Sequence, residues 1–184
     1  MSGRLVATPG QTVGPFFHDA LPFAGGPLLV APGSPGAVRL EGAVYDGDGA
    51  PVPDALVEIR QADSSGAIPT GEGSWRRERG FTGWGRAATD AAGRYAFTTV
   101  EPGPTGEGAA PFFSVCVVAR GLLDRLFTRA YLPGEATAGD AFLAGLGDDR
   151  DRLLVARSED VLTFDIHLQG ERETPFLAFP RHEA

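Results

Sequence analysis

The chain has 184 residues, of which 42% are hydrophobic and 22% are charged, and its formal net charge is −8. This length predicts one domain with a substantial core, and this composition excludes a disordered or fibrous protein. The negative charge argues against a general nucleic-acid-binding surface. The N-terminus lacks the pattern of a signal peptide, no apolar run is long enough to span a bilayer, and the single cysteine excludes an internal disulfide. We therefore expect a soluble cytoplasmic protein.

Residues 1–37 are rich in glycine and proline, and proline at this density excludes an interior helix or a central strand. The same segment carries large apolar side chains, among them Phe16, Phe17 and Leu29, which a free linker does not need. We predict that residues 1–37 form an extended arm that packs on a partner, and that residues 38–184 form the domain itself.

Short strand candidates separated by turns follow the arm. They are Val38–Asp46, Ala55–Ala62, Arg94–Val100, Phe113–Arg120, Leu126–Leu132, Leu153–Ala156 and Val161–Gln169. Only Asp140–Leu146 has a helical pattern. This order of elements predicts an all-β fold, an antiparallel β-sandwich with an extended N-terminal arm.

Four blocks in chain order carry a family resemblance: Thr8–Phe17, Leu40–Asp63, Phe81–Pro104 and Ala110–Tyr131. Together they resemble the intradiol ring-cleavage dioxygenases, enzymes that use non-haem ferric iron to open catechol-type rings. The resemblance covers most of the chain and implies the β-sandwich of that family.

The family holds its iron with two tyrosines and two histidines, since phenolate and imidazole suit ferric iron. By this resemblance the tyrosine positions fall at Ile68 and Thr105, and the histidine positions fall at Phe112 and Ser114. None of these side chains is a proper iron ligand, and Arg60 stands where the family usually has tryptophan. The three histidines and three tyrosines of the chain also lack the spacing of a metal site. We therefore expect no metal and no catalytic residue within this chain.

One type of enzyme in this family pairs an iron-free alpha-type chain with a homologous beta subunit that binds Fe(III). The resemblance implies that this chain is of that alpha type and that the active site lies where the two subunits meet. The reaction implied is cleavage of 3,4-dihydroxybenzoate by dioxygen to 3-carboxy-cis,cis-muconate. The chain would then be part of an enzyme only within a hetero-oligomer.

The candidate substrate-binding residues follow from the carboxylate of that substrate, which requires a cationic partner when it is buried. Arg120 is the main candidate, because strand alternation puts it on the same face as positions 112 and 114. Thr12, Gly14, Pro15 and Phe16 are the second group, since the resemblance places this part of the arm against the partner's cavity. The alternatives are a surface ion pair for Arg120 and an arm that only clamps the dimer.

Two other functions stay open on the sequence. One is a stand-alone β-sandwich that binds ligands or proteins without catalysis. The other is an enzyme that uses a different metal or none, for which the residues offer no ligand set.

Overall fold

The structure is a computed structural model that describes residues 12–70 and 80–179. Its strands form two sheets. The first has the order β4-β1-β8-β7, with β9 also paired to β1, and the second has the order β3-β2-β5-β6. The strands are β1 Ala37–Tyr45, β2 Leu56–Arg60, β3 Trp84–Ala88, β4 Arg94–Val100, β5 Phe112–Val118, β6 Leu126–Tyr131, β7 Ala156–Ser158, β8 Val161–Thr163 and β9 Ile166–His167.

Alternating side chains decide which face of each sheet is inside. In β5 the side chains of Phe113, Val115 and Val117 are fully buried, whereas Phe112 and Ser114 are half-buried on the other face. Leu40 and Phe97 of the first sheet belong to the same core cluster as the inner residues of β5. The hydrophobic core therefore lies between the two sheets, as expected for a sandwich.

A helical segment follows β6. It consists of the α-helices α2 Glu135–Gly139 and α3 Ala141–Gly145 and the 3₁₀-helix Gly147–Leu153, and a short helix, α1 Phe17–Ala20, lies in the arm. Asp140 caps α3, because its Oδ1 accepts hydrogen bonds from the N–H groups of Phe142 and Leu143, both at 3.0 Å. Leu143 and Leu153 are fully buried and join the core cluster that includes Tyr131. No helix in the described part of the chain has the length and apolarity needed to cross a membrane.

The arm runs along the first sheet and is held there mainly by main-chain groups. The Leu29 N–H donates to the Thr98 carbonyl at 2.8 Å, and the Thr98 N–H donates to the Pro27 carbonyl at 3.0 Å. From the second sheet, the Arg86 N–H donates to the Gly26 carbonyl at 2.9 Å, and the Arg86 side chain donates from Nη1 to the Leu21 carbonyl at 2.8 Å. Part of the predicted arm thus packs on its own domain.

The all-β sandwich prediction is confirmed, and β4 has the predicted bounds. Most strand pairs are antiparallel, as expected, but β1 pairs in parallel with both β8 and β9. Parallel neighbours lie far apart in sequence, and strand alternation does not reveal which strands will pair.

Three strand predictions need correction. The predicted strand Leu153–Ala156 was wrong, since the 3₁₀-helix ends at Leu153 and β7 begins at Ala156. The predicted Val161–Gln169 is divided into β8 and β9, because Asp165 turns its Oδ1 to the N–H of Ala43 at 2.9 Å. β3 was not among the predicted strands, because its Gly-Arg-Ala-Ala residues give little strand signal.

Candidate functional site

Arg120 and the arm come together at one end of β5. The N–H of Gly121, directly after Arg120, donates to Thr12 Oγ1 at 3.2 Å. Gly14 follows with a φ of 79°, a conformation that glycine adopts readily, and Pro15 and Phe16 are exposed. We call this region, formed by Arg120, Gly121, Asp54 and arm residues 12–16, the Arg120 end.

Asp54 is the partner of Arg120. Their closest atoms, Arg120 Nη2 and Asp54 Oδ2, lie 2.6 Å apart, and the two side chains are 60% and 11% exposed. The contact does not have hydrogen-bond geometry, so Asp54 Oδ2 is buried without a hydrogen-bond donor among the described residues. The pair is a charge contact that leaves the guanidinium largely free to meet another carboxylate.

Thr89 fixes the turn that carries Asp54. Its Oγ1 donates to the Val52 carbonyl at 2.8 Å and accepts from the Ala55 N–H at 2.9 Å. Thr89 is itself buried, so its hydrogen bonds to Val52 and Ala55 fix the turn from the inside of the domain. The Asp54 carboxylate is thereby held next to Arg120.

An apolar surface surrounds the Arg120 end. Val13, Phe16 and Leu123 are 47%, 76% and 60% exposed. Val13 and Leu123 line a groove of about 280 Å³ whose other walls are apolar, with Leu21 and Leu122, and charged, with Glu58, Arg86, Asp124 and Arg125. Large apolar side chains exposed together mark an interaction surface in a soluble protein.

The four family ligand positions lie at the opposite end of the second sheet. Arg60 ends β2 and Phe112 begins β5, and the antiparallel register places Arg60 directly opposite Ser114. The loops that carry Ile68 and Thr105 touch one another, because the N–H of Gly103 donates to the Asp63 carbonyl at 2.7 Å. We call this region, formed by Arg60, Phe112, Ser114, Arg129 and the loops 61–69 and 101–111, the Ser114 end.

Arg129 occupies the sheet face at the Ser114 end. Its guanidinium lies 4.4 Å from the ring centre of Phe112 and 5.3 Å from that of Phe142. Its Nη1 donates to Tyr131 Oη at 2.9 Å. Burial raises the pKa of Tyr131, and the neighbouring Arg129 partly offsets that effect, so this hydroxyl stays protonated at neutral pH.

These residues do not fit a ferric ion. Ile68 and Phe112 offer only hydrocarbon, Thr105 and Ser114 offer neutral hydroxyls, and Arg129 already places a cation against the Phe112 ring. Burial raises the pKa of the nearby Cys116 thiol to about 11, so this thiol is protonated at neutral pH. Across residues 12–70 and 80–179, no cluster of three His, Cys, Asp or Glu side chains forms a metal-binding group.

The structure thus brings Thr12, Gly14 and Arg120 to one end of β5 and Ile68, Thr105, Phe112 and Ser114 to the other. Sequence reasoning missed Asp54 and Arg129. The Pro-Asp pair before β2 signals only a turn, and Arg129 lies within a block used for the resemblance, so neither carried a separate signal. Residues Thr8–Gln11 of the first block lie outside the described residues.

The chain is similar to characterised dioxygenase subunits. The family model described as "Dioxygenase" matches residues 13–124. The protocatechuate 3,4-dioxygenase alpha chain of Burkholderia cepacia is 38% identical, covering 94% of this chain and 97% of that one. The alpha chain of Pseudomonas putida is 36% identical over 95% and 98% of the two chains. The beta chain of Burkholderia cepacia is 33% identical over 90% of this chain and 77% of that one.

A solved structure agrees with the fold. The dioxygenase domain of a dioxygenase carbohydrate-binding protein fusion from Streptomyces sp. SirexAA-E superimposes with a TM-score of 0.62 and 25% identity. The match covers 92% of this chain and 96% of that domain.

Proposed function

The chain belongs to the intradiol ring-cleavage dioxygenase family, and from this premise we propose that it is the alpha subunit of a protocatechuate 3,4-dioxygenase. In this proposal a homologous beta subunit binds the ferric iron, and the active site lies where the two subunits meet. The complex cleaves 3,4-dihydroxybenzoate between its two hydroxyl-bearing carbons and inserts both atoms of dioxygen. We place it in the cytoplasm.

The observation that carries the proposal is the contrast between the two ends of β5. The ligand positions of this chain hold no iron donor, whereas its Arg120 end presents an exposed cation beside an arm with unburied apolar side chains. Such a surface suits a subunit that completes a neighbour's site. That alpha and beta chains of the same enzyme both resemble this chain supports a hetero-oligomer.

The chemical contribution of this chain is substrate binding. The Arg120 guanidinium would pair with the substrate carboxylate, with its planar fork matched to two oxygens. Thr12 holds the arm against Gly121 and so fixes the position of Gly14 and Pro15 beside Arg120. Phe16, Val13 and Leu123 would exclude water at the interface.

Co-expression with a homologue that carries the two tyrosines and two histidines tests the assembly. We expect a complex near 1:1 that is coloured by charge transfer from tyrosinate to iron. A stable soluble monomer that ignores this homologue would instead favour a stand-alone binding module and would refute the proposal.

The Arg120→Ala variant tests the substrate role. Losing a charge-assisted hydrogen bond costs about 1.5–3 kcal/mol, so we expect KM for protocatechuate to rise about tenfold to a hundredfold while iron content holds. Arg157→Ala is the matched control, since Arg157 is also an exposed arginine with one acidic partner, Glu101. Equal KM values for wild type and Arg120→Ala would remove Arg120 from the site.

A further inference from the structure

A row of residues crosses three strands at the Ser114 end. Arg60 of β2 is directly opposite Ser114 of β5, and Ser114 is directly opposite Arg129 of β6. Directly opposite residues share a face of the sheet, here the face away from the core. Neighbouring strands lie about 4.8 Å apart, so the Cα atoms of the two arginines are separated by about 10 Å with Ser114 between them.

Neither arginine of this row has an acidic partner among the described residues. Arg60 is exposed at the end of its strand, and Arg129 donates to the neutral hydroxyl of Tyr131. The carboxylate of the next row, Glu58, is already bound by Arg86 at 2.6 Å. Two arginines with no acidic partner among the described residues therefore flank Ser114 in register, in a chain whose net charge is −8, so the row is a local exception to the acidic composition.

The Arg129 side chain is held in position before any ligand arrives. The rings of Phe112 and Phe142 lie against it, and Tyr131 accepts one of its hydrogen bonds. A cation fixed in this way loses little side-chain freedom when it binds an anion. The half-buried Phe112 ring also borders Ser114, so an apolar aromatic surface adjoins the charged one.

We propose that Arg60, Ser114 and Arg129 form a binding site for a small aromatic carboxylate. The two guanidinium groups would bind the carboxylate oxygens, the Ser114 hydroxyl would donate a further hydrogen bond, and the ligand ring would lie against Phe112. The proposed anion site thus includes Ser114 and adjoins Phe112, two of the positions where the family resemblance would place metal ligands. The inference rests on the residues of this sheet face and does not depend on Arg120.

Benzoate is the probe, because it has a ring and a carboxylate but no hydroxyls that bind iron. The titration is done by calorimetry at low ionic strength on the assembled complex in an Arg120→Ala background, so that binding through Arg120 does not contribute. We expect benzoate binding that weakens at least about tenfold in Arg60→Gln and in Arg129→Gln. Arg157→Gln, which removes the same charge from the other sheet, should leave it unchanged, and Arg60→Lys should restore part of it.

A crystal soaked in benzoate gives the location independently of folding, and we expect density for the ring between Arg60 and Arg129. Benzoate affinity that is equal in all variants would overturn the proposal. The proposal would also be overturned if sulfate bound as tightly as benzoate and its affinity did not change in Phe112→Leu. That result would indicate a site for inorganic anions. Loss of the complex in Arg60→Gln would show instead that a partner side chain occupies the row. A failure of the alpha-subunit function would appear in the Arg120→Ala kinetics and in co-purification, which these titrations do not measure.

Discussion

The two ends of β5 differ in how many of their side chains are covered by other parts of the same chain. Ser114 and Arg120 are six positions apart on one face, a separation of about 20 Å. At the Ser114 end, loops touch loops and Arg129 is held between aromatic rings. At the Arg120 end, a largely exposed guanidinium lies beside an arm whose Val13 and Phe16 are also exposed. The Ser114 end is thus closed by contacts within the chain, whereas the Arg120 end leaves charged and apolar side chains exposed.

The largest expected effect comes from a matched pair of glycines. Gly66 and Gly121 both have positive φ, 89° and 93°, but a Cβ at Gly66 would lie 2.0 Å from the Pro104 carbonyl oxygen, whereas a Cβ at Gly121 meets nothing within 4 Å. We expect Gly66→Ala to lower the free energy of unfolding by about 2–4 kcal/mol and Gly121→Ala by about 1–2 kcal/mol. Chemical denaturation measures both, and equal losses would mean that the loops at the Ser114 end are not tightly packed.

A smaller effect is expected from Thr12→Ala. The Thr12 hydroxyl oxygen accepts two exposed hydrogen bonds, from the Gly121 N–H at 3.2 Å and from the Gly14 N–H at 3.5 Å, and we take their loss to cost about 0.5–1 kcal/mol. We therefore expect KM for protocatechuate to rise about twofold to fivefold in the complex, with kcat little changed. Thr105→Ala is the control at the Ser114 end, where the same loss of a hydroxyl should leave KM as it is. If KM rises in both variants, or in neither, the Thr12 hydroxyl has no specific part in substrate binding.

The smallest effect concerns pH and the loop at the Ser114 end. The Ser65 hydroxyl and the N–H groups of Ala67 and Ser65 hydrogen-bond to Asp63 and hold its pKa below the usual 3.8. A carboxyl whose folded pKa is lowered stabilises the protein above its unfolded pKa, and this stabilisation is lost as pH falls through the folded value. We expect Asp63→Asn to flatten the acid side of the stability curve below about pH 4. The measurement is the denaturant midpoint at a series of pH values from 5 downward, and Asp124→Asn at the Arg120 end is the charge control. If the dependence of the midpoint on pH is as steep in both variants as in the wild type, the prediction is wrong.

The sequence predicted the sandwich and the side of the strand on which Arg120 lies because strand alternation is a local property. Alternation put Arg120 on the face of positions 112 and 114, and the burial pattern of β5 agrees. Asp54 and Arg129 escaped prediction because their roles depend on partners 66 residues and 17 residues away in the chain, Arg120 for the first and Phe112 for the second. The break at Asp165 escaped for the same reason, since it depends on the N–H of Ala43.

The attachment of the arm has a consequence for how this part of the chain can evolve. The domain binds the arm through the carbonyls of Leu21, Gly26 and Pro27 and the N–H of Leu29. Every amino acid supplies the same carbonyl, so substitutions at positions 21 and 27 leave these anchors in place. An insertion between the anchors, by contrast, would shift every later residue out of register. Among related chains, positions 21 and 27 are therefore expected to diverge in sequence, whereas the spacing of the anchors, the buried Leu29 and Gly26 are expected to be preserved.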